Sequence, residues 1–598
     1  MDALKSREQL LLLLVSNVLC DIADASPSIQ KTIARDIKTL EARFAHEGFQ
    51  FLTIALPRLG KALEFALETG ALQRIEGFRT LRHSAAIPAF LSGMWLQVFT
   101  MQGVLRPDAS PEAIRHLRQV AYLVYKYEIP FSERVLNEFQ QKFIETDQAI
   151  PDDVPDGIDR VLRFNVRRVL FGIFEGFNPR NIRPKHGPGA VSTGEKLEGK
   201  WCFKRLYDSL HQCYPYYEYF VTGVSELCDR IKWYKQLERV PSGTTKVVFV
   251  PKDSRGPRVI SSEPLEYMFA QQGLATEIVD LLEKGSSLTR GRVNFTSQLI
   301  NRRLASLSSE TGAYATIDLS EASDRVPKWV TDFFPKELAR FMNGTRSTHT
   351  VLPNGERIEL KKFAPMGSAM CFPVESVFFY AVSVAAVIGL APLTRETVKR
   401  ADCFVYGDDI IVPVEHYESV CAALELFGLK INHQKSFRKG QFRESCGMDA
   451  YRGIDVTPIK IRTPWSGRPS DAKSLLSWVE YSNSLRVRYP RTADVIRRMI
   501  EQTYGRIPFG LSTSPFPCLQ VQSAFEAEAA NVASGFKWRW NEGLQRMEFR
   551  VKTARLRTRD SLLQGWNRLM CDLLTHHSAS SEVVVPRSTL IRPRWCTV

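Results

Sequence analysis

The chain has 598 residues, 44% of them hydrophobic and 24% charged, a globular balance that excludes wholesale disorder. Eighty Lys and Arg against 65 Asp and Glu leave a net charge of +15, which favours a polyanionic partner over a small neutral substrate. At roughly 100–200 residues per domain, the length predicts several modules, separate or interleaved. Residues 1–150 read as mainly helical. Leu10–Ile22, Ile29–Phe51, Ile114–Tyr127 and Arg134–Ile144 carry apolar residues at a spacing of about 3.6. Arg160, Arg163, Arg167 and Arg168 recur at helical spacing. A Pro- and Gly-rich loop over 179–189 then carries Arg180, Arg183 and Lys185 and holds too many breakers for regular structure. These arginines suit RNA phosphates or a solvated face equally well.

Residues 245–263 read as strand, turn, strand, with Lys246, Lys252, Arg255 and Arg258 lining the hairpin. Cations packed this densely suit a triphosphate and its pyrophosphate product, or simply a solvated basic hairpin. Residues 313–450 alternate short strands with helices, as an α/β or α+β core does. Val377–Ala391 is apolar, but Ser383 and Gly389 interrupt it and Pro392 ends it. A membrane span needs about 18 residues or more, so a buried core helix is expected. Residues 470–570 return to helical patterning. Within them Trp538 and Arg539 sit in a run of interleaved aromatics and cations, followed by Arg546, Arg550, Lys552, Arg555, Arg557 and Arg559. That composition suits single-stranded RNA, through stacking plus phosphate attraction, or an amphipathic helix with a solvated basic face. The tail from His577, basic at Arg587, Arg592 and Arg594, is expected to be partly mobile.

The 11 cysteines are odd in number and widely spaced, without a CxxC or a Cys/His zinc pattern, and read as reduced thiols in a cytosolic compartment. No targeting segment is expected, because the apolar run Leu10–Val15 is too short for a signal core.

The sharpest feature is Tyr406-Gly407-Asp408-Asp409 between two apolar runs, which predicts a β-hairpin. Adjacent acids within a strand face opposite sides of the sheet, but at a turn both can crowd one place. Crowded carboxylates repel unless a cation neutralises them. Asp318 ends a short apolar strand upstream, and Asp324 follows on the first turn of a helix. By itself Asp318 reads as a strand-end acid; with Asp408 and Asp409 it reads as a third ligand. A calcium loop is excluded, because Ser323 and Trp329 stand where its Gly and Glu belong. The chemistry that needs such a cluster is phosphoryl transfer with two hard cations.

These stretches, with 365–379, 442–447, 453–458, 185–190 and 250–264, resemble the replicase catalytic β subunits of the positive-strand RNA bacteriophages, the leviviruses. The resemblance is dense from about 180 to 462 and specific in the order of the Asp318 block and the Tyr-Gly-Asp-Asp block. It implies an α+β fold of right-hand polymerase architecture. That fold has a helical N-terminal region over 1–150, fingers over 151–312, a palm over 313–462, and a helical thumb and C-terminal region over 463–598. It implies RNA synthesis on a single-stranded RNA template from nucleoside triphosphates, without a primer. Asp318, Asp408 and Asp409 would hold two Mg²⁺ ions, with Mn²⁺ able to substitute. Asp324 would sense the ribose 2′-hydroxyl, Lys252 and Arg258 the triphosphate, and Gly367 and Ser368 the nucleotide. Lys435 would serve as a general acid to pyrophosphate. Cys371 and Glu375 depart from the broader polymerase pattern, although phage replicases share the Glu. Host elongation factors Tu and Ts and the largest small-subunit ribosomal protein are the implied partners, in the bacterial cytoplasm and without a membrane. Two other readings stay open: a reverse transcriptase or other palm-type polymerase, and a basic RNA-binding protein with no catalysis.

Overall fold

The structure, a computed structural model, describes residues 2–575 and 582–598. Its helices begin where local chemistry satisfies their first N–H groups. Ser110 accepts from the Ala113 N–H ahead of helix Pro111–Tyr122, Ser132 caps Glu133–Gln148, Asp159 caps Arg160–Ile173, and Asp471 caps Ala472–Arg486. Proline at the first position of Pro111–Tyr122 costs nothing, since its N–H would lack a partner there.

Two large apolar cores organise the chain. One runs from Ile158 to Ile431 and is built around helix Cys371–Ile388. That helix is long and apolar enough to cross a membrane, but 83% of it is buried inside the protein, so it is the core helix its sequence predicts. The other core joins the helices of residues 1–127 to Phe437, Phe442, Tyr451 and the helices Ala472–Arg486 and Pro490–Tyr504. The N-terminal region therefore shares its core with the C-terminal helices. A buried ion triad reinforces the join: Arg118 reaches both Glu64 and Asp449, and its guanidinium lies 4.9 Å from the Phe442 ring centroid.

The sheets are small and mostly antiparallel. Asp409–Pro413 runs between Tyr314–Ile317 and Phe404–Tyr406. Thr244–Asp253 pairs with Gly256–Ser262 as the expected basic hairpin, extended on its other side by His349–Val351. Phe442–Ser445 pairs with Met448–Tyr451. The result is a mixed helix-and-strand protein of the α+β kind, and all 11 cysteines are unpaired.

One expectation fails near the C-terminus. Helical patterning ends as a continuous feature at Tyr504; Trp538–Asn541 and Arg546–Asp560 are strands. The segment Glu582–Cys596 is a strand paired with Arg546–Asp560, with a break in register between Leu556 and Thr558. Residues 576–581 and the Arg587 side chain lie outside the described residues. The physical reason is pairing: Phe549, Val551 and Thr553 alternate inward with period two, and the tail satisfies that strand's backbone.

Candidate active site

The acidic turn is set by the pairing of Asp409 with Tyr406 and Ile410 with Val405, which leaves Gly407-Asp408 as a two-residue turn. Gly407 has φ +64°, and a Cβ there would stand 2.3 Å from Phe372 Cε2. Both facts demand glycine. Its N–H donates to Ser376 Oγ at 3.2 Å, tying the turn to the core helix. On the other side Ile410 pairs with Ile317. One further step in that register sets Asp409 level with Asp318, on the same face.

The three carboxylates therefore share one place. Burial is the main reason the Asp409 carboxyl is pushed up to about 7, with Asp408 and Asp318 adding repulsion against a bond from the Cys446 backbone. Asp318 is pushed up to about 6 by burial; Lys435 and Asn432 offset this while Asp408 adds to it. Asn432 Nδ2 donates to Asp318 Oδ2 at 2.6 Å, the Asp318 N–H donates to Ser436 Oγ at 3.1 Å, and Ser445 Oγ donates to Asp409 Oδ1 at 3.3 Å. Burial and mutual repulsion raise Asp318 and Asp409 above the usual carboxylate range, and hard oxygen donors so placed suit a hard divalent cation, which would relieve the repulsion. Among the described residues, no three His, Cys, Asp or Glu side chains are already arranged to hold a metal unaided.

Lys435 acts directly on Asp318, Lys252 lies near Lys435, and Arg258 lies near Lys252. Lys435 Nζ lies 3.8 Å from Glu444 Oε1, and Glu444, with help from Asp318, holds its ammonium well above the usual lysine range. Partial burial, with Arg258, Arg255 and Lys435 close by, pulls Lys252 below that range. Arg255 is committed to Asp253 at 2.8 Å and lies 4.7 Å over the Tyr125 ring. Lys252, Arg258 and Lys435 thus form one positive neighbourhood beside Asp318.

Asp324 sits in the short helix Ala322–Arg325, and its Oδ1 accepts from Lys362 Nζ at 2.9 Å. Lys362 is fully buried, 3.7 Å from Asp147 Oδ1 and 3.7 Å from the Phe143 ring centroid. Nothing in the local sequence marks Lys362, and it was not foreseen. Glu375 lies in the core helix beside Ser323 and Cys371; burial, then Asp408 and Asp324, push its carboxyl up to about 8. Its carboxyl is therefore biased toward the neutral form. Cys446, in the turn after Phe442–Ser445, is packed rather than reactive, since burial raises its thiol.

Several expected contacts are placed differently. Gly367 is exposed at φ +119°, and a Cβ there would stand 2.4 Å from the Ser261 carbonyl, so glycine is needed against the basic hairpin's own backbone. Ser368 is buried and turned inward, its Oγ donating to Gln271 Oε1 at 3.0 Å, so it positions the loop instead of facing a nucleotide. Arg180, Arg183 and Lys185 are exposed on their loop, and the two arginines line a cavity of about 310 Å³ with Tyr219 and Leu573. Trp538 is 52% exposed, but Arg539 is committed to Glu548 at 2.8 Å and stacks 4.7 Å over Trp595. Arg539 shares Glu548 with Arg546, so one carboxylate faces two guanidiniums.

Crowded carboxylates with cations close by are the kind of arrangement that phosphoryl transfer uses. The sequence model of the family described as RNA replicase, beta-chain, matches residues 135–508, and the chain belongs to that family. It is 32% identical over 312 residues to the RNA-directed RNA polymerase beta chain of Enterobacteria phage fr, covering 51% of this chain and 54% of the relative. It is 37% identical over 219 residues to that of Escherichia phage MS2, covering 36% and 38%. Against the RNA-directed RNA polymerase subunit beta of Qbeta virus (strain MX1) it is 31% identical over 283 residues, covering 46% and 44%. The chain thus spans about half the length, or less, of these curated relatives.

Proposed function

We propose that the chain is a template-directed RNA polymerase that copies a single-stranded viral RNA from nucleoside triphosphates, without a primer. The observation that carries this reading is the meeting of Asp318, Asp408 and Asp409 at one turn, with Lys252, Arg258 and Lys435 beside it. In this reading residues 151–312 are the fingers, 313–462 the palm and 463–598 the thumb and C-terminal region.

Two Mg²⁺ ions held by Asp318, Asp408 and Asp409, with Mn²⁺ as a substitute, would supply activation of a 3′-hydroxyl and neutralisation of the leaving pyrophosphate. Asn432 fixes the Asp318 carboxylate for that task. Lys252 and Arg258 bind the triphosphate as cations that no acid of the site has claimed. Lys435, protonated and anchored by Glu444, gives its proton to the departing pyrophosphate. Asp324 offers its second carboxylate oxygen to the ribose 2′-hydroxyl, a contact a deoxyribonucleotide cannot make. Arg180, Arg183, Lys185 and Trp538 contact RNA. The beta-chain and beta-subunit names of the relatives support work within a larger complex. Elongation factors Tu and Ts and the largest small-subunit ribosomal protein are the proposed partners, in the cytoplasm of a bacterial host.

The test is labelled-nucleotide incorporation on a single-stranded RNA template, with and without host extract, comparing wild type with Asp408→Asn. Incorporation lost in the variant while RNA binding survives supports the reading. Equal incorporation by both proteins refutes the site, and silence in all conditions with RNA still bound favours the non-catalytic alternative.

A further inference from the structure

The C-terminal sheet carries a second cationic place, outside the acidic turn. Strands Arg546–Asp560 and Glu582–Cys596 pair with Val551 opposite Arg594, Thr553 opposite Arg592 and Arg555 opposite Leu590. Directly opposed residues share a face, and every second residue returns to it. Arg594, Arg592 and Arg555 therefore stand on one face, the first two about 6.6 Å apart along their strand and Arg555 diagonal to Arg592. All three are exposed, and with Thr553, Thr558 and Leu590 they line a cavity of about 320 Å³. No carboxylate lines it, and none of the three arginines has an ion pair among the described residues.

This paired ribbon is held at both ends. At one end Lys552 Nζ donates to the Tyr504 carbonyl and Ile591 packs against the N-terminal core. At the other, Glu198 accepts from Arg559 at 2.6 Å, from Ser561 Oγ at 2.6 Å and from the Leu562 N–H at 2.6 Å. The ribbon thus spans from the C-terminal helices to the segment around residue 198. Three like charges fixed on a braced ribbon cannot spread apart to relieve their repulsion, and a polyanion would relieve it. The apolar middle of the same face is covered by Phe516 and Cys518, so the arginine recess is a place separate from Trp538.

We propose that this recess is a contact for the sugar-phosphate backbone of single-stranded RNA, with Arg555, Arg592 and Arg594 each taking a phosphate. It rests on the reading of the chain as an RNA polymerase. Guanidinium forks match phosphate oxygens bidentately. A recess of about 320 Å³ has room for part of one strand's backbone. Thr558 adds a hydroxyl suited to the ribose and phosphate edges, while the buried Thr553 spends its hydroxyl on the Arg592 carbonyl at 3.2 Å.

The test uses the full chain. Anisotropy of a labelled single-stranded RNA of about 16 nucleotides is followed across about 0.05–0.2 M salt for wild type and the triple variant Arg555→Gln, Arg592→Gln, Arg594→Gln. A control of equal charge change carries Arg134→Gln, Arg395→Gln and Arg400→Gln, exposed residues elsewhere. Single strands lose about 0.7 of log–log salt slope per phosphate contact, so the triple variant should lose about 2. At about 0.15 M salt that is a loss of affinity on the order of 50-fold, with unchanged melting and an unchanged control. An unaltered slope, an equal loss in the control, or an equal loss for a duplex of the same length overturns the proposal. A wild type that incorporates no nucleotide, while the triple variant still loses its slope, refutes the polymerase reading and leaves the contact standing. An active wild type with an unaltered slope does the reverse.

Discussion

Replacing Lys362 with methionine removes the one cation that holds Asp324. The ammonium it deletes is fully buried, 2.9 Å from Asp324 Oδ1 and 3.7 Å from Asp147 Oδ1. Breaking one side of a buried pair costs about 3–5 kcal/mol. Asp147 keeps two backbone N–H donors, from Lys361 at 3.0 Å and Lys362 at 3.1 Å, and Asp324 is partly exposed. The lower end, about 3 kcal/mol, is therefore expected. Without its cation Asp324 is free to turn, and it accepts a 2′-hydroxyl less well. Losing one charge-assisted hydrogen bond is worth about 1.5–3 kcal/mol, or roughly 10- to 100-fold. The ratio of kcat/KM for a ribonucleotide over its deoxy analogue should fall by that factor, with the deoxyribonucleotide value nearly constant. Lys362→Arg should restore part of the ratio. Urea unfolding and steady-state incorporation measure the two effects separately. A stability loss with an unchanged ratio would show that Lys362 only fills space and that Asp324 does not read the sugar.

Glu375→Gln should leave incorporation nearly unchanged and be more stable than wild type at neutral pH, because the buried carboxyl takes up a proton on folding there and an amide does not need to. Its folded-state pKa is raised, so the wild type should lose stability relative to the Gln variant as pH rises from about 4.5 toward about 8; parallel denaturation curves at several pH values decide it. His116, bonded to Tyr489 at 3.0 Å, is pulled down to about 4 by burial and by Arg115 and Arg488; Glu112, 3.5 Å away, is half-exposed and does not outweigh them. A lowered pKa means stability present above pH 6.5 and lost on falling through about 4, by up to about 3 kcal/mol, and His116→Gln should flatten that slope in acid denaturation. Gly407→Ala meets both a left-handed φ, worth about 1–2 kcal/mol, and the Phe372 ring at 2.3 Å. Incorporation should drop at least about tenfold with only a modest fall in melting temperature. Full activity would mean that the turn does not need its glycine.

What the residues alone disclosed was local. The acidic turn was legible because a hairpin's partners are near neighbours: Tyr406 pairs with Asp409 across two residues. The basic hairpin announced itself in the same way, and helix Cys371–Ile388 did so by an apolar run too short and too interrupted for a membrane. Its Glu375 was visible as a departure, but the burial that keeps it protonated was not.

Contacts distant in sequence had no signal. Lys362 meets Asp324 across 38 positions and its backbone meets Asp147 across 215; nothing near any of the three foretells the meeting. Ser368 was read as a nucleotide contact because its motif faces the substrate, yet Gln271 claims its hydroxyl. The densely basic stretch Arg546–Asp560 hides its period-two alternation, and it became a strand because Glu582–Cys596 supplies its partner. Period and turn chemistry, which act over a few residues, set the acidic turn, its glycine and the core helix from the sequence itself. Which charges are neutralised, which keep a proton and which face outward free were decided by tertiary packing, because burial and pairing depend on residues the chain brings together only by folding.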